Sequence, residues 1–210
     1  MDIEYKGGNC VIITNKKAIL AVDAKIATLG LHDQAQKATV ELGTQPQFIA
    51  SANEETLVID GPGEYEVENV SIHGVAARAH LDAASEGLRA TIYRIDTADL
   101  SVAIVGHIYP DLSDEQLEAI GVVDVLVVPV GGNGYTLDAT GAIKIVKAID
   151  PKVVIPTHYA EKGVEYPVPQ AELDLFIKEL GAPTEETSKL KLKAGALPET
   201  LLVSVIKRTA

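Results

Sequence analysis

Five histidines are the side chains in this sequence best suited to chemistry: His32, His73, His80, His107 and His158. Imidazole binds metal ions, moves protons near neutral pH and makes hydrogen bonds from either nitrogen. No two of the five lie within five residues of one another. Any shared site must therefore be assembled by the fold and not by a local motif. His107 follows the apolar run 102–105, in Val105-Gly106-His107, and His158 follows 153–155, in Pro156-Thr157-His158-Tyr159. Both mark places where a buried strand gives way to a loop, and such strand ends are where α/β folds gather ligands. A third loop, Gly131-Gly132-Asn133-Gly134, follows the strand ending at Val130. Its glycines let backbone amides approach an anion or substrate, which makes Gly131, Gly132 and Asn133 candidate substrate-binding residues; a plain turn is the simpler reading.

The elements that must position these residues can be read from periodicity. The first half is strand-rich. Residues 10–14 and 18–22 flank Asn15-Lys16-Lys17 and read as a hairpin. Further short strands are expected at 48–50, 56–60, 70–75, 91–95 and 102–105, with Gly61-Pro62-Gly63 as a turn between two of them. From about Leu112 helix and strand alternate. Ser113-Asp114-Glu115-Gln116 is a capping-box sequence, and Gly121 a stop. Ala142, Ile145, Val146 and Ile149 mark one helix face, ended by Asp150-Pro151; Leu173, Phe176, Ile177 and Leu180 mark another, ended by Gly181. Residues 123–128 and 152–155 suit buried strands, and 188–193 and 201–206 return as strands. Strands first and strand–helix units later imply mixed or stacked sheets with helices outside.

Other polar residues have simple structural readings. Asp60 caps a turn, Asp138 starts a helix, and Asp23 ends a strand in the same manner. His32 and His73 read as solvent-facing or edge-strand residues. Cys10, the only cysteine, lies in an apolar run with no basic flank, so it reads as a buried hydrophobe and no intramolecular disulfide can form. The 30 acidic against 18 basic residues give a net charge of −12, a field that repels phosphate backbones and argues against nucleic acid as a partner. No apolar run is long enough for a bilayer, and nothing reads as a signal peptide or membrane anchor. The cytoplasm is the expected compartment. Tyr166-Pro167-Val168-Pro169 reads as a rigid loop or a contact within a homo-oligomer.

Several of these segments, in this order, resemble the metallo-β-lactamase fold superfamily. Residues 123–132 and Val154-Ile155-Pro156-Thr157-His158-Tyr159 are similar to its second half, while the hairpin ending Ala21-Val22-Asp23, then 60–65 and 70–75, are similar to its first. The branch resembled is that of small metal-dependent hydrolases related to ascorbate-6-phosphate lactonase. The resemblance covers nearly the whole of residues 1–210 as one domain and implies an α/β (α+β) fold, a four-layer αββα sandwich. Catalytic members carry one or two metal ions at the sheet edge, where a metal-bound hydroxide attacks an ester, lactone, amide or phosphodiester. Their ligand motif is His-x-His-x-Asp-His, with a further His, an Asp at a Gly-Asp step and a late His.

This sequence departs from that pattern. The clustered motif is absent, and the segment where it belongs reads Ile49-Ala50-Ser51-Ala52-Asn53-Glu54-Glu55. The Gly-Asp step is Gly106-His107. His158 matches a family ligand, and His80 lies within a residue of another. Two functions follow. One is a protein without catalysis and without a cofactor, whose old cleft binds a small ligand or a partner, or whose surface drives assembly. The other is a hydrolase with a single divalent metal, zinc first, held by His80, His107 and His158. Three protein ligands and a water are what a catalytic zinc requires.

Overall fold

The computed structural model describes residues 1–50, 54–80 and 87–209. Ser51, Ala52 and Asn53 of the displaced motif, and Leu81 and Asp82 beside His80, lie outside the described residues.

Alternation of buried and half-exposed residues builds the first sheet. β1 (Asp2–Gly7) alternates along its whole length, with Ile3 and Tyr5 facing the core. It pairs antiparallel with β2 (Cys10–Asn15), which pairs with β3 (Ala18–Val22) across the expected hairpin. Lys16 takes the positive φ of 54° that this turn demands. β4 (Val40–Leu42) and β5 (Leu57–Ile59) extend the sheet in parallel on one side, and β13 (Leu190–Lys191) closes the other.

The second sheet has eight strands in the order β12, β14, β11, β10, β9, β8, β7, β6. Its acidic edge hairpin is β6 (Gly63–Val67) and β7 (Val70–Ala77), followed inward by β8 (Ala90–Asp96) and β9 (Ser101–Ile104). β10 (Val125–Pro129) and β11 (Val153–Thr157) are buried at every position and run parallel, as their unbroken apolar sequences require. β14 (Leu202–Ile206) and β12 (Thr184–Thr187) complete it. One hydrophobic cluster, including Tyr5, Leu20, Ile72, Ile92 and Ile155, joins the facing sheets. Tyr93 stitches them with a hydroxyl bound to the carbonyls of Gly43 (3.0 Å) and Ile59 (3.1 Å).

Three α-helices serve the larger sheet: α1 (Asp114–Ile120) packs on β7, α2 (Ala139–Ile149) on β10, and α3 (Leu173–Leu180) on α2. On the smaller sheet a thinner layer of loop and 3₁₀ turn, Ala27–Leu29, covers Cys10, Ala21 and Ala38. Cys10 is fully buried there, as its apolar setting implied. Among the described residues no helix is long and apolar enough to cross a membrane.

The expected strand at 48–50 is instead a 3₁₀ turn, Pro46–Phe48, because Pro46 fixes φ and removes a ladder donor. The expected strand at 188–193 shrinks to two residues, and β1, β4, β6 and β12 were not anticipated. β4 and β6 are short or rich in glutamate, and their pairing is decided by neighbours and not by their own propensity. The capping box on α1 is complete, with Ser113 accepting from the Gln116 amide. Ser113→Ala is expected to lower stability by about 1 kcal/mol, read as a shift in the urea midpoint.

Candidate functional site

Two strand ends, one from each sheet, turn their last side chains toward the same cleft. Asp23 follows β3 with φ 46°, and His158 follows β11 with φ 51°. Left-handed backbone is costly for non-glycine residues and marks places where the surroundings impose a conformation. The imposing bonds are visible. The Asp23 amide donates to the Leu42 carbonyl (2.9 Å), and the His158 amide to the Gly8 carbonyl (2.8 Å).

Asp23 is the hub of a buried network. Its Oδ1 accepts the Thr44 amide (2.8 Å), and its Oδ2 accepts the Thr44 hydroxyl (2.7 Å) and Asn9 Nδ2 (2.7 Å). Asn9 Oδ1 in turn accepts the Thr157 hydroxyl (2.6 Å). The chain Thr157–Asn9–Asp23–Thr44 ties β11 to the β1–β2 turn and to the ends of β3 and β4. Burial pushes the Asp23 carboxyl up to about 6, against the downward pull of the Asn9 and Thr44 bonds.

His107 and His158 meet edge to face, ring centroids 4.6 Å apart. Around them pack Phe48 (5.0 Å from His107), Tyr135 (5.4 Å from His107, 5.5 Å from His158) and Tyr166 (4.6 Å from His158). The sequence holds only seven Tyr and two Phe, so a third of its aromatic rings touch this pair. Burial drives the His158 pKa down to about 4, partly opposed by the bond from its Nδ1 to Gln170 Oε1 (3.1 Å). Burial, then the neighbouring His158 and His80, hold His107 well below its usual range. Both rings are uncharged at pH 7. Gln170 uses its amide nitrogen on the Val168 carbonyl (3.0 Å), so its oxygen accepts from His158 and leaves Nε2 of that ring as the acceptor.

A cavity of about 290 Å³ opens beside the pair, lined by Asn9, Asp23, Ile26, Leu29, Phe48, His107, Tyr135 and His158. Lys25 lies on its rim. The strap 160–171 roofs it with Pro167, closing on itself through Ala160 and Ala171 and anchoring to Gly131 and Leu29.

His80 is tied to the backbone of His107. Its amide donates to the His107 carbonyl (2.9 Å), its pKa is lowered by burial, and Asp138 pulls the other way. The Nδ1 atoms of His80 and His107 are both buried without a partner. A divalent metal in this cleft would have to draw on these donors. Asp23 has both oxygens engaged, His107 and His158 contribute two imidazoles, and among the described residues no group of three His, Cys, Asp or Glu is disposed to hold a metal ion. The donor set on view falls short of the three protein ligands of a catalytic zinc.

The glycine loop serves close packing. A Cβ on Gly131 would lie 2.2 Å from the His158 carbonyl oxygen, and one on Gly132 would lie 2.9 Å from Asp138 Cβ. The Gly132 amide donates to Leu137 O, and Asn133 Nδ2 bonds the Pro169 carbonyl. Tyr135, from the same loop, is the residue that lines the cavity. Asp138 caps α2, and His32 is exposed, both as expected. His73 is half-exposed on β7, one strand in from the edge. The sequence reading missed Asn9, Thr44, Phe48, Tyr135 and Gln170 as site residues. None carries a local motif, although the scarcity of aromatics was a usable signal.

Comparison with known proteins agrees with this architecture. Residues 2–158 match the family described as Beta-lactamase superfamily domain. A UPF0173 metal-dependent hydrolase of Thermoplasma acidophilum is 46% identical over 48 residues, covering 21% of each chain. The match thus spans about a fifth of that relative's length. A crystal structure from Thermotoga maritima, of a candidate Zn-dependent hydrolase of the metallo-beta-lactamase superfamily, superposes with a TM-score of 0.74 at 24% identity, covering 98% of this chain and 100% of that one. Igni18, a metallo hydrolase of Ignicoccus hospitalis, gives 0.61 at 17% identity, covering 86% and 90%. With two facing sheets, outer helices and three quarters of its length matched by the family, this chain belongs to the beta-lactamase superfamily and has the metallo-β-lactamase fold.

Proposed function

We propose that the cleft binds a small organic ligand and does not hydrolyse it. The ring packing around His107 and His158 carries this reading. Two uncharged imidazoles embedded among Phe48, Tyr135 and Tyr166 make an apolar, hydrogen-bonding wall of the kind that ligand pockets present. The engaged Asp23 carboxylate supports it, since Oδ2 already accepts two bonds and Oδ1 one, which leaves it little capacity to bind a metal as well. The cytoplasm remains the proposed setting, and the acidic field argues against nucleic acid.

A second reading is favoured by the paired orphan Nδ1 atoms of His80 and His107. In it His80, His107 and His158 hold one divalent metal, zinc first, which would supply a nucleophilic hydroxide toward an ester, lactone or phosphodiester. His158 has the outer-shell bond, to Gln170, that metal-binding imidazoles use. The relatives named as metal-dependent hydrolases are consistent with it. Elemental analysis of purified protein, with melting recorded with and without a chelator, separates the two. The ligand reading expects far less than one metal per chain and an unchanged melting temperature. Near-stoichiometric metal, lost from His107→Ala and His158→Ala, would overturn it in favour of the hydrolase.

A further inference from the structure

The chemistry of the cleft wall narrows the class of ligand. This step rests on the ligand-cleft reading above. Asn9, Thr28, Gln47 and Tyr135 give the lining mixed donors and acceptors, to which His158 and Asp23 add acceptors. His158 offers the Nε2 lone pair left by its Gln170 bond. The His107 ring lines the same cavity, with its Nδ1 buried beneath the surface. Among the described residues Asp23 is the one acidic residue lining the cavity. Phe48 and Tyr135 add aromatic rings to the lining, and Ile26 and Leu29 add aliphatic side chains. The chain's net charge of −12 adds a long-range field of the same sense.

Three ligand types can be weighed against that wall. An anion would meet Asp23 and the acidic field, with Lys25 alone to offset them from the solvent-exposed rim. A neutral hydrocarbon would fill the volume but leave the His158 acceptor unpaired, at the cost of a buried unsatisfied group. A protonated amine suits more of these features than either. Its N–H group donates to His158 Nε2, its charge is favoured by Asp23, and a desolvated cation gains from an aromatic ring.

We propose that the cleft recognises a small organic ammonium ion, a primary or secondary amine on a compact apolar body. The ammonium group lies against His107, His158 and the Phe48 and Tyr135 rings near Asp23, and the apolar body lies toward Ile26 and Leu29. Lys25 at the rim then orients the ligand, since it repels the charged end and tolerates the apolar one.

Calorimetric titration of the full chain at pH 7.5 with cyclohexylammonium, cyclohexanol and cyclohexanecarboxylate tests this. The three share one ring and differ in charge. Cyclohexylammonium is expected to bind at least about tenfold more tightly than the other two. Phe48→Leu, which keeps apolar bulk and removes the π face, is expected to weaken it about fivefold and leave cyclohexanol unchanged. Lys25→Gln, at an exposed position that does not bear on folding, is expected to strengthen the ammonium and weaken the carboxylate. Cyclohexanol or the carboxylate binding as tightly as the ammonium overturns the ammonium proposal and leaves the ligand cleft standing. No binding by any probe, together with stoichiometric metal, overturns both. Ammonium binding indifferent to Phe48→Leu and Lys25→Gln places it elsewhere and also overturns the proposal.

Discussion

Acidification from pH 7 to about pH 4 is expected to destabilise the fold, and Asp23 is expected to soften that loss. His158 titrates near 6.5 when unfolded and at about 4 when folded. Between those values the unfolded chain binds the extra proton, so stability falls as pH drops, by about 3 kcal/mol over the full window. His107 is displaced in the same direction by the same cause, burial. Asp23 works oppositely. Its carboxyl titrates at about 6 in the fold against 3.8 outside it, so the folded chain binds the proton first. Its contribution is present at low pH and is lost as pH rises through about 6, again about 3 kcal/mol. Two imidazoles outweigh one carboxylate, and the net slope is loss of stability on acidification. Urea midpoints at pH 7, 5 and 4 measure it. Asp23→Asn is expected to steepen the slope by removing the opposing group, and His158→Gln to flatten it. A midpoint that stays level or rises toward pH 4 in the unaltered chain would show that the two rings are not held neutral.

Gly131→Ala is expected to be among the most damaging single-methyl additions in the chain, lowering the melting temperature by about 10 °C and abolishing binding in the cleft. The new Cβ would lie 2.2 Å from the His158 carbonyl oxygen and 2.3 Å from Gln170 Oε1. A backbone oxygen cannot rotate away as a flexible side chain can. Either residue 131 or residue 158 must move, and the latter carries its ring and the Gln170 bond with it. The Ala171 amide, 2.7 Å from the Gly131 carbonyl, would be displaced too, loosening the strap at its base. Gly134→Ala is the control. Gly134 has φ 74° and nothing within 4 Å, so it should lose only the left-handed preference of glycine, about 1 kcal/mol. Equal losses in the two variants would mean that the contact with His158 is not what requires glycine at 131.

How much of this was legible beforehand varies along the chain by kind of interaction. The β2–β3 hairpin, the α1 capping box and the helix faces of α2 and α3 rest on contacts within a few residues, and periodicity reports those directly. β10 and β11 were legible because a strand buried on both faces has no polar alternation to confuse. β4 and β12 were not, since three or four residues acquire strand geometry only from the neighbours they pair with.

The site divides in the same way. Taken alone, the sequence determined that no two histidines are clustered and that His107 and His158 both end buried strands. Those are matters of residue type and local pattern. Only the tertiary structure decided that the two rings meet at 4.6 Å, that Asp23 is spent on Thr44 and Asn9, and that three scarce aromatic rings enclose the pair. Most partners in those contacts are far apart in the chain: 21 residues from Asp23 to Thr44, 51 from His107 to His158, and 148 for the adjoining bond of Asn9 to Thr157. Chain separations of that size leave no periodic trace in a sequence, and the desolvation that keeps both imidazoles uncharged exists only once the sheets have closed over them.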